Sequence, residues 1–263
     1  MPAAGTGNRP TEVDLNADLA EGYGRWTFGT DADLLTVVSS ANVACGFHAG
    51  DPSTIRSALA VAAANEVTVG AHVGYPDLQG FGRRPMDLGD ELVDIVVYQI
   101  AALVELARIE GTAVRYVKPH GALYNRAAVD EHQATSIVTA TTAVDPSLAI
   151  MCQTGSVLHR VATDAGLTTV GEVFADRAYL ADGRLVPRST AGSVVTDPDL
   201  VVERVLRMVI DREVVAIDGT VVEIDVASIC VHGDSPDAVV LARRVASALR
   251  RAKVVLRSPL ALR

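Results

Sequence analysis

The sequence predicts a single α/β domain, built as a seven- or eight-stranded β/α barrel of the TIM type. Short apolar segments, typical of parallel strands buried on both faces, alternate with helical segments along the whole chain without a linker. The 263 residues also suit one such barrel better than a five-stranded doubly wound sheet. An open sheet stays the alternative. We expect residues 1–12 to form a flexible N-terminal tail and residues 13–263 to form the domain.

The first two strand-helix units set the pattern. A short alternating strand at 13–18 is followed by a polar loop at 21–30. An apolar run at 36–40 predicts the second strand, which leads through small residues and a histidine to Asp51. Pro52 then opens an alanine-rich helix. Because Asp is a favoured N-cap and Pro a favoured first helical residue, this stretch is predicted to be a strand-to-helix junction.

The same alternation continues to the C-terminus. Later strands are predicted at 67–72, 114–118, 148–152, 168–173 and 226–231. Helices are predicted at 90–110, from Asp130, at 155–165 and from Asp197, with a last helix capped by Ser235 and Pro236. The loop at 73–89 is long for a compact domain, which favours a functional role. A hairpin-like insertion is expected at 179–186, with Asp182-Gly183 at its turn.

Composition and charge argue against several classes of function. The formal net charge of −9 and a pI near 5.1 disfavour nucleic acid or an anionic membrane as a partner. The longest apolar region, 92–109, contains Asp94, Gln99 and Glu105, so it is predicted to be an amphipathic helix and not a membrane span. Three cysteines without a CxxC spacing, and no apolar signal-peptide core near Met1, indicate a reduced, cytoplasmic protein.

Polar side chains cluster at or just after the C-terminal ends of the predicted strands, where β/α barrels carry their active sites. A single histidine is as often structural as functional, but four of the six lie on this face. The other two, His132 and His159, fall in predicted helices and are interpreted as structural. The catalytic candidates are Asp14, Asp18, His48, Lys118, His120, Glu172 and Asp176, and the candidates for substrate binding are Asn16, Glu21, Asn42, His72, Arg84, Asn125, Arg177, His232 and Asp234.

Two kinds of chemistry are open to this set. Asp14, Asp18, His48, His72 and His120 could hold Mg²⁺ or another divalent metal ion that polarises a carbonyl or activates water. No short-spaced ligand pair such as HxH or HExxH supports the metal. The metal-free alternative uses an aspartate as general base, a histidine as acid and a lysine as an electrostatic clamp. The sequence has no Walker A or GxGxxG motif and therefore no recognisable nucleotide site of its own.

Six long phrases of the chain resemble one known family, LamB/YcsF, from about residue 13 to the C-terminus. They are DLNADLAEGYG at 14–24, SSANVACGFHAGDP at 39–52, GAHVGYPDLQGFGRR at 70–84, VKPHGALYN at 117–125, EVFADRAYLADGRLVPR at 172–188 and CVHGDSP at 230–236. The departures from the family pattern are small. Ala17 stands where Cys is usual, Ala20 where Gly is usual and Val73 where Pro is usual.

The resemblance implies a cytoplasmic enzyme component, namely the A subunit of the bacterial ATP-dependent 5-oxoprolinase. It implies conversion of 5-oxoproline and ATP to glutamate, ADP and phosphate, with subunits B and C as partners and ATP used through the complex. It also implies a barrel related to those of glycoside hydrolases and polysaccharide deacetylases. The identity of any metal, the stoichiometry of the complex and a homo-oligomeric state stay open.

Two rival functions are retained. A metal-dependent carbohydrate deacetylase on a related barrel would share the Asp-His cluster and the hydrolysis of an amide. Such an enzyme should also need aromatic surfaces for sugars, whereas this chain is 4% aromatic with one Trp. A non-catalytic binding barrel is the second rival, and it would show ligand-stabilised melting without turnover.

Overall fold

The computed structural model describes residues 12–27, 31–231 and 237–261. Its strands, in chain order, are β1 (Glu12–Leu19), β2 (Ser40–Ala44), β3 (Thr68–Val73), β4 (Val114–Pro119), β5 (Ala149–Cys152), β6 (Thr169–Phe174), β7 (Glu213–Val215), β8 (Val221–Glu223), β9 (Ser228–Val231) and β10 (Val255–Leu256). Its helices are α1 (Asp31–Leu34), α2 (Pro52–Ala64), α3 (Glu91–Ile109), α4 (Gly121–Ala127), α5 (Glu131–Val144), α6 (Val157–Asp164), α7 (Pro198–Ile210) and α8 (Ala238–Arg251).

Seven parallel strands close into a barrel. They follow in the order β1, β2, β3, β4, β5, β6 and β9, and β9 pairs with β1 to complete the ring. The short β10 lies outside the ring and pairs with the first residues of β1, where Glu12 is opposite Val255. The predicted β/α barrel is therefore confirmed, and the open-sheet alternative is wrong.

The main hydrophobic core lies between the barrel and the surrounding helices. Outward-facing strand residues such as Leu15 and Val43 are fully buried in one cluster with helix residues such as Leu59, Ile100 and Leu249. Because strand side chains alternate between faces, the neighbouring residues of each strand point into the barrel. The interior is thus left to a different set of side chains, many of them polar.

Several element boundaries differ from the prediction. The second strand begins at Ser40, at the end of the apolar run expected to form it, because Leu34, Leu35 and Val38 are buried in and just after α1. The helices α1 and α4 and the antiparallel pair β7–β8 were not predicted. The expected hairpin at 179–186 is reduced to a bridge between Tyr179 and Leu185.

Some predictions fall on residues that the structure does not describe. The predicted N-terminal tail lies outside the described residues except for Glu12, which begins β1. The cap expected at Ser235 and Pro236 also lies outside them. Among the described helices, none is both long and apolar enough to cross a membrane.

The junction after β2 has the predicted cap. The Asp51 Oδ1 atom accepts hydrogen bonds from the backbone N–H groups of Ser53 and Thr54 at 2.9 and 3.1 Å, and Pro52 occupies the first helical position. The Thr54 hydroxyl donates to the other carboxylate oxygen at 2.7 Å. This hydroxyl bond, together with backbone N–H donors, lowers the pKa of Asp51 to about 2.

We expect Asp51→Ala to lower the free energy of unfolding by about 1 kcal/mol at neutral pH, as for loss of an N-cap. The folded-state pKa is depressed, so the charge-dependent part of this stabilisation is present above about pH 4 and is lost as the pH falls towards the folded value near 2. Denaturant unfolding of native chain, Asp51→Ala and Asp51→Asn should show the alanine defect shrinking on acidification. An alanine defect independent of pH would contradict this account of the cap.

Candidate active site

The lower part of the barrel interior is organised around Asp14. Its carboxylate is fully buried and accepts hydrogen bonds from the hydroxyl groups of Ser39, Ser40 and Ser228. Burial raises the pKa of Asp14, and the three hydroxyl donors oppose that rise. Since four residues of strand span about 13 Å, Asp14 lies far below Asp18 along β1. Asp14 therefore supports the barrel interior and does not line the pocket described below.

The middle layer consists of two buried amides that orient the carboxylates above them. The Asn16 Nδ2 atom donates to Glu172 Oε1 at 3.0 Å and to Ser228 Oγ at 2.7 Å. The Asn42 Nδ2 atom donates to Asp18 Oδ1 at 2.8 Å, and the Tyr116 hydroxyl donates to Asn42 Oδ1 at 2.6 Å. Because both amides and the phenol are fully buried, this network fixes the carboxylate positions.

Lys118 holds the centre of the upper layer. Its Nζ atom lies 2.9 Å from Asp18 Oδ1, 2.7 Å from Glu172 Oε1 and 3.2 Å from Cys230 Sγ. Burial disfavours the charged form, yet the adjacent Asp18 and Glu172 carboxylates raise the pKa of Lys118 well above its ordinary value. Burial also raises the pKa of the Cys230 thiol, which argues against a nucleophilic thiolate. The site thus contains a buried ammonium group clamped by two carboxylates.

Three histidines and a glutamate form a second cluster beside Lys118, which we call the imidazole cluster: Glu21, His48, His72 and His120. Their potential ligand atoms all lie within 4.8 Å of one another, and all four residues are buried. The His48 ring stacks on the His120 ring with centroids 3.8 Å apart. Burial lowers the pKa values of His48 and His120 well below the ordinary range, and the neighbouring imidazoles lower them further.

Two glycines in the loop after β3 allow the imidazoles to pack this closely. A Cβ atom on Gly74 would lie 2.6 Å from His48 Nδ1, and one on Gly82 would lie 2.8 Å from both His48 and His120. Gly82 also has a φ of +64°, which disfavours any larger residue. The long loop predicted to be functional therefore forms one wall of the imidazole cluster.

A pocket opens above Lys118 and the imidazole cluster, at the C-terminal ends of the strands. Its lining combines two acidic side chains, Asp18 and Glu21, with three arginines, Arg83, Arg177 and Arg188. The full lining is Asp18, Glu21, His72, Arg83, Lys118, Pro119, His120, Gly121, Tyr124, Asn125, Phe174, Arg177, Leu185 and Arg188. The Tyr124 hydroxyl is buried and has no hydrogen-bond partner among the described residues, so it is available to a ligand.

The structure brings most of the predicted site residues together at two depths. Asp18, Glu21, His72, Lys118, His120, Asn125 and Arg177 line the pocket, His48 lies behind it, and Asn16, Asn42 and Glu172 lie beneath it. Asp176 follows β6 but is not part of the lining, and the Arg84 guanidinium pairs with Asp77 instead. His232 and Asp234 lie outside the described residues.

Several residues of the site were not among those predicted from the sequence. Arg83 faces the pocket where its neighbour Arg84 was expected, Tyr124 joins it from α4, and Arg188 joins it from a later loop. Phe174 packs beside the pocket, with the Lys118 Nζ atom 5.3 Å from its ring centroid. Each of these residues lies inside one of the family-like phrases, so their position in those phrases was the available signal.

Comparisons with known proteins agree with this architecture. The LamB/YcsF family profile matches residues 13–262. The chain is 53% identical over 245 residues to the third 5-oxoprolinase A subunit of Pseudomonas syringae pv. tomato, covering 93% of this chain and 96% of the relative. It is 55% identical over 243 residues to the 5-oxoprolinase A subunit of Streptomyces coelicolor, covering 92% and 97%.

A solved structure extends the similarity to the whole fold. The lactam utilization protein from Thermus thermophilus superposes with a TM-score of 0.89 at 46% identity, covering 94% of this chain and 99% of that protein. The family match includes every phrase quoted above. The chain therefore belongs to the LamB/YcsF family.

Proposed function

We propose that this chain is the A subunit of an ATP-dependent 5-oxoprolinase and that it opens the lactam ring of 5-oxo-L-proline to give L-glutamate. ATP is converted to ADP and phosphate in the same overall reaction, and subunits B and C are the partners. The observation that carries the proposal is the buried Lys118 ammonium held between Asp18 and Glu172 at the floor of the pocket. The names of the similar proteins support the assignment to 5-oxoprolinase.

The chemistry of the substrate suits these residues. In ring opening, water adds to the lactam carbonyl carbon, the C–N bond breaks, and the ring nitrogen gains a proton to become the amine of glutamate. Asp18 is the general base that takes the proton from water and returns it to the nitrogen. Lys118 stabilises the negative charge that develops on the carbonyl oxygen, and its burial strengthens that interaction.

The arginines of the pocket provide for the other end of the substrate. 5-Oxoproline carries one carboxylate, and Arg83, Arg177 and Arg188 add positive charge to the pocket. Burial lowers the pKa of Arg177 to about 10, which still leaves the guanidinium protonated at neutral pH. The arginines therefore bind the carboxylate, while the Tyr124 hydroxyl hydrogen-bonds the lactam. When the substrate carboxylate is bound by the arginines, the lactam carbonyl points towards Lys118.

ATP enters the proposal through the complex. An unactivated lactam is a resonance-stabilised amide, so coupling to ATP supplies a better electrophile. Subunits B and C contribute this activation by transferring the terminal phosphoryl group of ATP to the lactam oxygen, with Mg²⁺ accompanying the nucleotide and ADP leaving. After the barrel has opened the ring, a second water molecule releases the phosphoryl group as phosphate, so one ATP and two water molecules are consumed for each glutamate. A cytoplasmic location is part of the same proposal and fits the free thiols of Cys45, Cys152 and Cys230, all buried.

The division of labour gives an expected result. The purified chain, supplied with ATP, Mg²⁺ and 5-oxoproline, should release no glutamate above the background of heat-treated protein. Addition of subunits B and C should produce glutamate and phosphate in equal amounts, with both products followed to detect uncoupled ATP hydrolysis. Robust glutamate formation by the isolated chain would overturn the partner requirement.

A further inference from the structure

The hydrogen bonds of the imidazole cluster fix which ring nitrogens carry protons. His72 Nδ1 lies 3.1 Å from the Lys118 carbonyl oxygen, and His120 Nε2 lies 2.8 Å from the Phe81 carbonyl oxygen. A carbonyl oxygen only accepts hydrogen bonds, so both of these nitrogens are N–H donors. The remaining nitrogens, His72 Nε2 and His120 Nδ1, are the ring atoms left to offer a lone pair to a metal ion.

These two nitrogens face each other at 3.0 Å. At that distance the two nitrogens either share a proton or both bind a cation. The Glu21 Oε1 atom adds negative charge at 3.4 Å from His120 Nδ1 and 4.0 Å from His72 Nε2. The arrangement is therefore complementary to a positive ion.

His48 supplies an independent observation. It is 1% exposed, and neither of its ring nitrogens has a hydrogen-bond partner among the described residues. Its Nε2 atom lies 3.6 Å from Glu21 Oε1. A buried polar group without a partner is costly, and a metal bond would satisfy this one. His48 is thus a fourth potential ligand of the same ion.

From this geometry we propose that Glu21, His48, His72 and His120 bind one divalent transition-metal ion of the zinc class. Bonds of about 2.0–2.2 Å in a tetrahedron put ligand atoms about 3.4 Å apart, close to the spacings above. Three imidazoles and one carboxylate suit Zn²⁺, Co²⁺ or Ni²⁺, whereas Mg²⁺ prefers oxygen ligands and retains water. The backbone carbonyls on the distal nitrogens of His72 and His120 are the usual partners of metal-binding histidines.

The ligand set differs from the one expected from sequence. Glu21 takes the place of Asp14, which lies in the lower layer of the barrel. Asp18 is adjacent, with its Oδ2 atom 3.4 Å from His72 Nε2, and it also pairs with Lys118. Glu21, His72 and His120 line the pocket, so an ion bound by them would face a substrate in that pocket. A role for the ion in polarising the lactam carbonyl rests on the proposed function, but binding of the ion does not.

Metal binding can be tested without substrate. The full chain, prepared without a histidine tag and stripped with a chelator, would be dialysed against Zn²⁺ or Mg²⁺, and bound metal would be measured by elemental analysis. We expect about one Zn²⁺ per chain and no retained Mg²⁺. His48→Ala and His120→Gln should each weaken Zn²⁺ binding by at least about 100-fold, the upper range for losing a supporting partner of a ligand. His132→Ala, on an exposed helix position, is the matched control.

The native chain loaded with Co²⁺ gives a second readout, which does not require the variants to fold. We expect the visible absorption bands of a four- or five-coordinate site with nitrogen ligands. Zn²⁺ affinity of the native chain equal to that of folded His48→Ala, or a Co²⁺ spectrum typical of the hexa-aqua ion, would overturn the proposal. Because neither measurement uses 5-oxoproline, a failed metal site and a failed functional assignment are distinguishable.

Discussion

Lys118→Met should reduce glutamate formation by the assembled enzyme by about 100- to 1,000-fold, the range for loss of one preorganised charge-stabilising donor. The methionine removes the ammonium that stabilises the developing oxyanion. It also leaves the buried Asp18 and Glu172 carboxylates 2.9 and 2.7 Å from a position that no longer carries positive charge. Initial rates of glutamate release, measured with native and variant chain at equal amounts of subunits B and C, provide the test.

The variant needs a stability measurement beside the assay. Removing one partner of a buried ion pair costs about 3–5 kcal/mol, so we expect a lower free energy of unfolding as well. Rates are therefore compared at a temperature where circular dichroism shows both proteins folded and gel filtration shows the complex intact. The matched control is Lys253→Met, which alters the exposed second lysine of the chain and should leave the rate unchanged. A folded, assembled Lys118→Met enzyme with near-native turnover would move the chemistry elsewhere.

Gly70→Ala should be the most destabilising small substitution in the barrel. A Cβ atom on Gly70 would lie 2.1–2.5 Å from three atoms of the Tyr116 ring, which is fully buried inside the barrel. Displacing that ring breaks the hydrogen bond from its hydroxyl to Asn42. Overpacking and a lost buried hydrogen bond together should lower the free energy of unfolding by about 3–5 kcal/mol, measured by denaturant titration.

Gly171→Ala is the matched control for this prediction. Its added Cβ would meet the Thr154 hydroxyl at 2.2 Å, but that hydroxyl belongs to a partly exposed side chain that can rotate away. The control should therefore cost less than about 1 kcal/mol. Equal losses for the two alanine variants would show that the Tyr116 packing does not determine the effect.

Much of the fold was predictable because local signals agreed with the global architecture. The cap at Asp51 and Pro52 and the helix start at Asp197 occur where the chain chemistry favours them. Apolar character alone was ambiguous at residues 36–38, because a buried helix end and a strand need the same side chains. The β7–β8 pair is short and half exposed, so its pattern was too weak to recognise.

Most residues of the site could be predicted from the sequence, but their depth within the barrel could not. Alternation along β1 put Asp14 and Asp18 on one face, yet the sequence does not show that only Asp18 reaches the pocket. The pairing of Arg84 with Asp77, which leaves Arg83 to face the pocket, depends on the path of the loop. Long-range contacts of this kind follow from tertiary packing and not from local propensity.

One departure from the family pattern has a local structural consequence. Ala20 adopts a φ of +58°, in the left-handed region that favours glycine, which is also the residue expected at this position from the family resemblance of the sequence. The alanine keeps its backbone contact, since its N–H donates to Asp31 Oδ2 at 3.0 Å. The substitution therefore adds strain next to Glu21 without changing the polar residues of the site.

A subtraction experiment tests most directly whether this barrel opens the lactam ring. Subunits B and C are incubated with ATP, Mg²⁺ and 5-oxoproline, either alone, with native chain, or with Lys118→Met, and glutamate and phosphate are measured together. The account predicts equal amounts of both products only when the native chain is present. Glutamate released at the native rate without this chain would contradict the account.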